Sequence, residues 1–285
     1  MRLISLLPVS LLLAACGGTT TPVTIASSGY AQAGQTIDDV ETFTLRGADA
    51  VFTTTSLAEF RKAEIKIGSP KEDDSIDITI EGVVYNLGLL EDGSYEGTVG
   101  DEVTRIRTIL DVSPVAQSIL MSWGNRDSNE FFVAKLVVGL ETDPETILQQ
   151  SNVATFSGAI VTTLSQRDSY GAVGGLMTLD VDFTEASVSG SFEVNEFEGS
   201  YFQVLTSDAV FILEESAITK TGFSGDITLE SGDIGATLQD ATYNGTFFGA
   251  EGETAGGTFT ATLDDPSDTQ DILANGAFIA NKDDE

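Results

Sequence analysis

Asn244-Gly245-Thr246-Phe247-Phe248-Gly249-Ala250-Glu251-Gly252-Glu253-Thr254-Ala255-Gly256-Gly257-Thr258-Phe259 decides how the fold of this 285-residue chain is read. Twice within it a glycine is followed two residues later by a phenylalanine. The same spacing recurs at Gly190-Ser191-Phe192 and Gly276-Ala277-Phe278. Residues two apart in a strand share a face. A glycine on that face leaves a hole that a neighbouring strand's aromatic can fill, and it permits the tight bend a closing sheet needs. The pattern favours a small closed barrel filled with phenylalanine, because closure also removes exposed edges. A β-sandwich using the same glycines is the alternative.

Outward from this stretch, everything after Gln150 is Gly- and Thr-rich with strands at short, even spacing. Met177, Leu179, Val181 and Phe183 fall on one face, and Thr178, Asp180 and Asp182 on the other, as in a sheet wetted on one side only. Val188, Gly190, Phe192 and Val194 repeat the pattern, which Asn195 to Gly199 breaks. Upstream, Asp143-Pro144-Glu145 reads as a helix cap with proline at the first position, opening one or two turns that end near Gln150. Before it lies a β-rich region. Its expected strands are Thr42 to Leu45, Val51 to Thr54, the strictly alternating Ile76-Asp77-Ile78-Thr79-Ile80, Tyr85 to Gly88, Tyr95 to Val99, Ile106 to Val112, Ile119 to Trp123 and Phe131 to Leu140. Glu91-Asp92-Gly93 is a turn. Ser56-Leu57-Ala58-Glu59 has capping-box spacing and predicts a short helix toward Ala63.

The segment from Asn244 to Phe259 resembles the barrel signature of the transferrin-binding protein B-like surface lipoproteins. In that family a strand ending in Gly-x-Phe-Tyr/Phe-Gly passes through a short acidic turn into Gly-Gly-x-Phe. Asn275-Gly276-Ala277-Phe278-Ile279-Ala280 resembles the family's closing strand. Val138-Gly139-Leu140-Glu141-Thr142, followed by Ala154-Thr155-Phe156-Ser157-Gly158, resembles the segment that enters the barrel. The resemblance implies an all-β protein: a C-terminal eight-stranded antiparallel barrel over 151–285, preceded by a β-rich handle-like domain over 36–150 with one or two short helices. It also implies display on the outer surface of the outer membrane, and capture of a protein or iron-carrying cargo for a TonB-dependent receptor. This chain carries one handle-barrel unit where transferrin-binding protein B has two lobes. The matched residues are structural ones, and no binding residue carries over.

Residues 1–15 have the layout of a secretory signal: Met1-Arg2, an apolar run from Leu3 to Leu13, then small residues. The run is shorter than the roughly 20 apolar residues a bilayer span needs. It ends in Leu13-Ala14-Ala15-Cys16, which looks like the lipobox of bacterial lipoproteins, so Cys16 is the expected lipidation site. Two or more acyl chains anchor stably, each buried methylene contributing about 0.8 kcal/mol. Gly17, not Asp, follows the cysteine, which with the resemblance favours the outer membrane. Residues 16–35, rich in Gly, Thr, Ser and Ala, read as a tether between lipid and domain.

Composition narrows the function classes. The chain has 45 acids, 13 bases, a formal net charge of -32 and no histidine. Such a surface repels nucleic acid. The lack of histidine removes the usual Ser-His-Asp constellation, the commonest metal ligand and an axial haem ligand. The one cysteine is the lipid site, so no disulfide or thiolate centre is expected. No catalytic, cofactor or metal residue is assigned and an enzyme is not expected. A structural or adhesive envelope lipoprotein without cargo is the alternative to a binding lipoprotein.

The remaining candidates read as structural. Glu72-Asp73-Asp74 and Asp264-Asp265 with Asp268 do not match a calcium loop and read as solvated turns. Tyr243, Phe247 and Phe248 could stack on a ligand but read as core. Trp123, near Asn125 and Arg126, sits at an expected loop edge and is a weak interface candidate. Asn244-Gly245-Thr246 matches the glycosylation triplet, but within an expected strand.

Overall fold

The computed structural model describes residues 30–36, 42–44, 50–54, 60–63, 65–68, 71, 73–80, 82–125, 130–166, 169–198, 209–232, 236–266 and 270–284. Cys16 and the signal lie outside the described residues, as do Ser56 to Glu59.

The N-terminal part is a ten-stranded antiparallel sheet. Its strands are β1 (Thr42–Thr44), β2 (Ala50–Thr54), β3 (Phe60–Ala63), β4 (Ile65–Gly68), β5 (Ile76–Ile80), β6 (Val83–Leu89), β7 (Tyr95–Val99), β8 (Glu102–Leu110), β9 (Ala116–Asn125) and β10 (Glu130–Gly139). The spatial order is β1-β4-β5-β6-β7-β8-β9-β10-β2-β3. One face is apolar: Ile76, Ile78, Ile80, Tyr85, Leu87, Ile106, Met121, Ala134 and Leu136 bury together. The helix expected toward Ala63 is corrected, since Phe60–Ala63 is a strand paired with β2 from Ala50↔Ala63 to Thr53↔Phe60. Sheet pairing has overridden a local capping signal. Ala31, in the stretch expected as tether, is buried, and its N–H donates to the Glu141 carbonyl at 2.9 Å.

Helix α1 (Pro144–Gln149) forms as its cap predicts: the Asp143 carboxylate accepts from the Glu145 N–H at 2.9 Å, and proline occupies the first turn. Beyond it, eight antiparallel strands close into a barrel. They are β11 (Val153–Gln166), β12 (Ser169–Asp182), β13 (Ser187–Glu198), β14 (Ala209–Ala217), β15 (Gly222–Ser231), β16 (Thr237–Phe248), β17 (Thr254–Asp264) and β18 (Ile272–Lys282). Closure is made by β11 with β18, from Phe156↔Lys282 to Ser165↔Leu273, which rules out the sandwich. The expected break at Asn195 is a bulge instead. Val194 pairs Gly175 and Glu196 pairs Gly174, so Asn195 is the extra residue and the strand runs on to Glu198.

The Gly-x-Phe spacing explains the filling. Antiparallel register sets Gly257 opposite Phe278 and Phe259 opposite Gly276, so each strand's ring covers the other strand's glycine. Phe223 and Gly225 on β15 meet Gly245 and Tyr243 on β16 in the same reciprocal way. A Cβ on Gly245 would fall 2.5 Å from the Phe223 ring, and one on Gly257 would fall 2.7 Å from that of Phe278. At Gly190 the space is taken by Leu179 and the Thr178 carbonyl instead. The rings gather at both ends. Phe223 and Phe247 lie 5.4 Å apart near α1, whose Ile147 plugs that end, while Phe192 stacks on Phe211 at 4.8 Å toward the other.

Strands β17 and β18 are buried on both sides. Their inward residues fill the barrel. Their outward residues, Ala277 and Ile279, meet Val115, Ala116 and Val137 of the handle together with Phe248 of β16. Hydrogen bonds close this seam: Lys135 N–H to Asn275 Oδ1 at 2.8 Å, Thr142 N–H to the Phe247 carbonyl at 3.0 Å, and Asn281 Nδ2 to the Val112 carbonyl at 2.8 Å.

Candidate functional site

Most of the singled-out residues are absorbed by the fold. Tyr243 and Phe247 are buried inside the barrel and Phe248 in the seam. The Tyr243 hydroxyl donates to the Glu214 carbonyl at 2.6 Å. Burial raises its pKa above the usual tyrosine value. Trp123 is corrected: it does not sit at a loop edge but is buried in β9, with its indole N–H 3.0 Å from Tyr85 Oη and 3.3 Å from Glu102 Oε2. Tyr85 in turn donates to Glu102 at 2.5 Å. A large ring whose polar edge finds partners is stable in a core, and neighbouring polar sequence did not reveal that. Arg126 lies outside the described residues.

Asp73-Asp74 lies in a turn, but the solvated turn expected at Asp264-Asp265 is corrected: Asp264 ends β17 and Asp265 is buried. Asp73 Oδ1 accepts from the Ser75 hydroxyl at 2.6 Å and the Ser75 N–H at 3.1 Å, which hold its carboxyl below the ordinary range. Asp265 is buried, accepting from Gln166 Nε2 at 3.1 Å, while Glu72 and Asp268 lie outside the described residues. Among the described residues, no three His, Cys, Asp or Glu side chains converge as a metal site. Asn244 of the glycosylation triplet lies in β16, paired with Ser224 and Thr258.

Among the described residues, two surfaces could meet a partner. The first comprises the start of β6 and the end of β7. Val83 (44% exposed), Val84 (56%) and Val99 (39%) stand there, between turns that carry Gly82 and Gly100 in the left-handed region. Apolar side chains left exposed at strand ends offer contact area to a partner. The second is the barrel end opposite α1, where a cavity of about 40 Å³ lies among Leu164, Val173, Val194, Phe211, Leu238 and Leu263. Its walls are almost wholly apolar, which suits hydrocarbon rather than a charged ligand.

A sheet handle seated on an eight-stranded antiparallel barrel defines the class: a handle-barrel lobe. More particularly, it is the lobe fold of transferrin-binding protein B. A transferrin-binding protein B vaccine antigen from Haemophilus parasuis, in a double-mutant form, superposes with a TM-score of 0.56 at 14% identity, covering 85% of this chain and 46% of that one. A single-mutant form gives 0.53 at 14% identity over the same shares. The intact Ap-TbpB structure, with N and C lobes, gives 0.53 at 14% identity, covering 84% of this chain and 46% of that one. This chain thus spans about half the length of the solved structures it matches. These neighbours are binding proteins rather than enzymes. No family model matches the chain, and no curated protein matches it by sequence.

Proposed function

We propose that this protein is a non-catalytic binding lipoprotein of the outer membrane, held by lipid on Cys16 and displayed at the cell surface. There it would capture a protein or iron-carrier cargo and pass it to a TonB-dependent receptor. The observation that carries this reading is the handle-barrel lobe itself: two interlocked β units whose interiors are filled by their own side chains, leaving recognition to exposed ends. The proposed arrangement is a cleaved signal over 1–15, a tether from Cys16, the handle and then the barrel. A net charge of -32 steers a basic partner, and Val83, Val84 and Val99 offer it an apolar contact. Charge steering beyond about 8 Å is screened at physiological ionic strength, so association slows as salt rises.

The test is capture from iron-limited spent medium on the immobilised full chain, at low and high salt. The reading expects a retained protein or carrier whose association rate falls with salt and drops further when Val84 is changed to Ser. Constitutive expression, no retained partner, and loss of cell aggregation on deletion would instead establish a structural or adhesive envelope protein.

A further inference from the structure

Lys135 is the lone charged residue in the apolar run from Phe131 to Val138, and it is 4% exposed. Its neighbours Ala134 and Leu136 face the handle core, whereas Val137 faces the barrel, so Lys135 points to the barrel side. Strand β2 pairs β10 only at Phe132 and Val133, and past them Asn275 of the barrel takes the Lys135 N–H. Among the described residues, no carboxylate pairs with its ammonium. Burial, then the nearby Arg107, lower its pKa to about 8. The register runs Lys135↔Leu120↔Arg107 across β10, β9 and β8 on this one face. Arg107 is exposed at the rim, likewise without an ion-pair partner among the described residues. Ser118, diagonal to Lys135 on β9, is fully buried, and its hydroxyl meets no hydrogen-bond partner.

A chain with 45 acids could neutralise any of its 13 bases, as Asp92 does Arg105 and Asp77 does Lys71. At this place two cations and an unsatisfied hydroxyl share a face, and among the described residues no acid is paired with either cation. A buried ammonium without a counter-charge is costly, and so is a buried hydroxyl without a partner.

We propose that Arg107, Lys135 and Ser118 form a site at the edge of the handle–barrel seam for a small oxyanion of the carboxylate or phosphate type. Arg107 offers its planar pair of N–H donors at the rim, matched to two oxygens of such an anion. Lys135 and Ser118 supply the inner donors. The bound anion replaces the missing counter-charge and, because Asn275 holds the Lys135 backbone, ties the handle more firmly to the barrel.

Thermal unfolding of the full chain, with inorganic phosphate or acetate replacing chloride at constant ionic strength, tests the site. A ligand that binds only the folded state raises the midpoint in a concentration-dependent way. The expected result is a saturable rise with phosphate or acetate in the wild type, lost in both Lys135→Met and Arg107→Gln and kept in Lys282→Gln. A preference for one anion assigns a tetrahedral or a planar ligand. No rise in the wild type, or a rise that survives in both seam variants, overturns the proposal. Should Lys135→Met not fold, the Lys135 ε-carbon resonance of the wild type decides. Its titration midpoint moves up with the anion if the site exists and stays in place if it does not.

Discussion

At single residues, close approach governs. A Cβ at Gly257 would run into the Asn244 carbonyl, lie 2.6 Å from Gly245 Cα and press on the Phe278 ring. Backbone cannot step aside as a flexible side-chain end can, so Gly257→Val should destabilise by about 2 kcal/mol or more. Gly222, whose nearest atom to an added Cβ is 3.5 Å away, should accept alanine with little change. Urea unfolding of the two variants checks the contrast, and equal losses would remove the special role given to the Gly-x-Phe positions. Lys135 makes a second residue-scale prediction. Its folded pKa of about 8 lies below the ordinary lysine value of about 10.5, so between these values the unfolded chain binds more protons and stability rises with pH. The gain, about 3 kcal/mol, is complete above the unfolded pKa and lost as pH falls through the folded one. Urea midpoints in chloride buffer should therefore climb across this window more steeply for the wild type than for Lys135→Met. Parallel curves would show that Lys135 is not buried as described.

Elements differ in how plainly the sequence announces them. Strand β5 and helix α1 were legible because each carries its own signal: strict alternation in Ile76 to Ile80, and Asp143-Pro144-Glu145 as cap and first turn. Strand β3 was not, because its reason to exist is the backbone of β2, and the nearby Ser56 to Glu59 spacing pointed to helix. The interruption at Asn195 was visible, but whether it ends a strand or bulges within it depends on β12 alongside. Lys135 was not singled out in the sequence, because its neighbours Leu120, Arg107 and Ser118 meet it only through the pairing of three strands. The small helix α1 does more than connect. Its Ile147 is 3% exposed and belongs to the barrel core, so the barrel's packing begins before its first strand. Ile147→Ala should cost about 2 to 5 kcal/mol by opening the plugged end. Asp143→Ala, which removes only the cap, should cost about 1 kcal/mol. Thermal unfolding would check the order, and a cap loss larger than the plug loss would contradict it.

Across the whole molecule, the barrel was legible from its glycine and phenylalanine spacing, while the seam was not. The seam joins residues such as Val112 and Asn281, or Lys135 and Asn275, that lie far apart in the chain and show no shared pattern. It makes handle and barrel one scaffold. Under the proposed function this scaffold would sit outside the cell, on a lipid at Cys16. Protease shaving of intact cells, beside Cys16→Ser cells and permeabilised cells, measures this directly. Intact wild-type cells should lose the protein to protease, and Cys16→Ser should release it from membranes with no labelled palmitate incorporated. Full protection in intact cells, with digestion only after permeabilisation, would contradict surface capture and leave a periplasm-facing role.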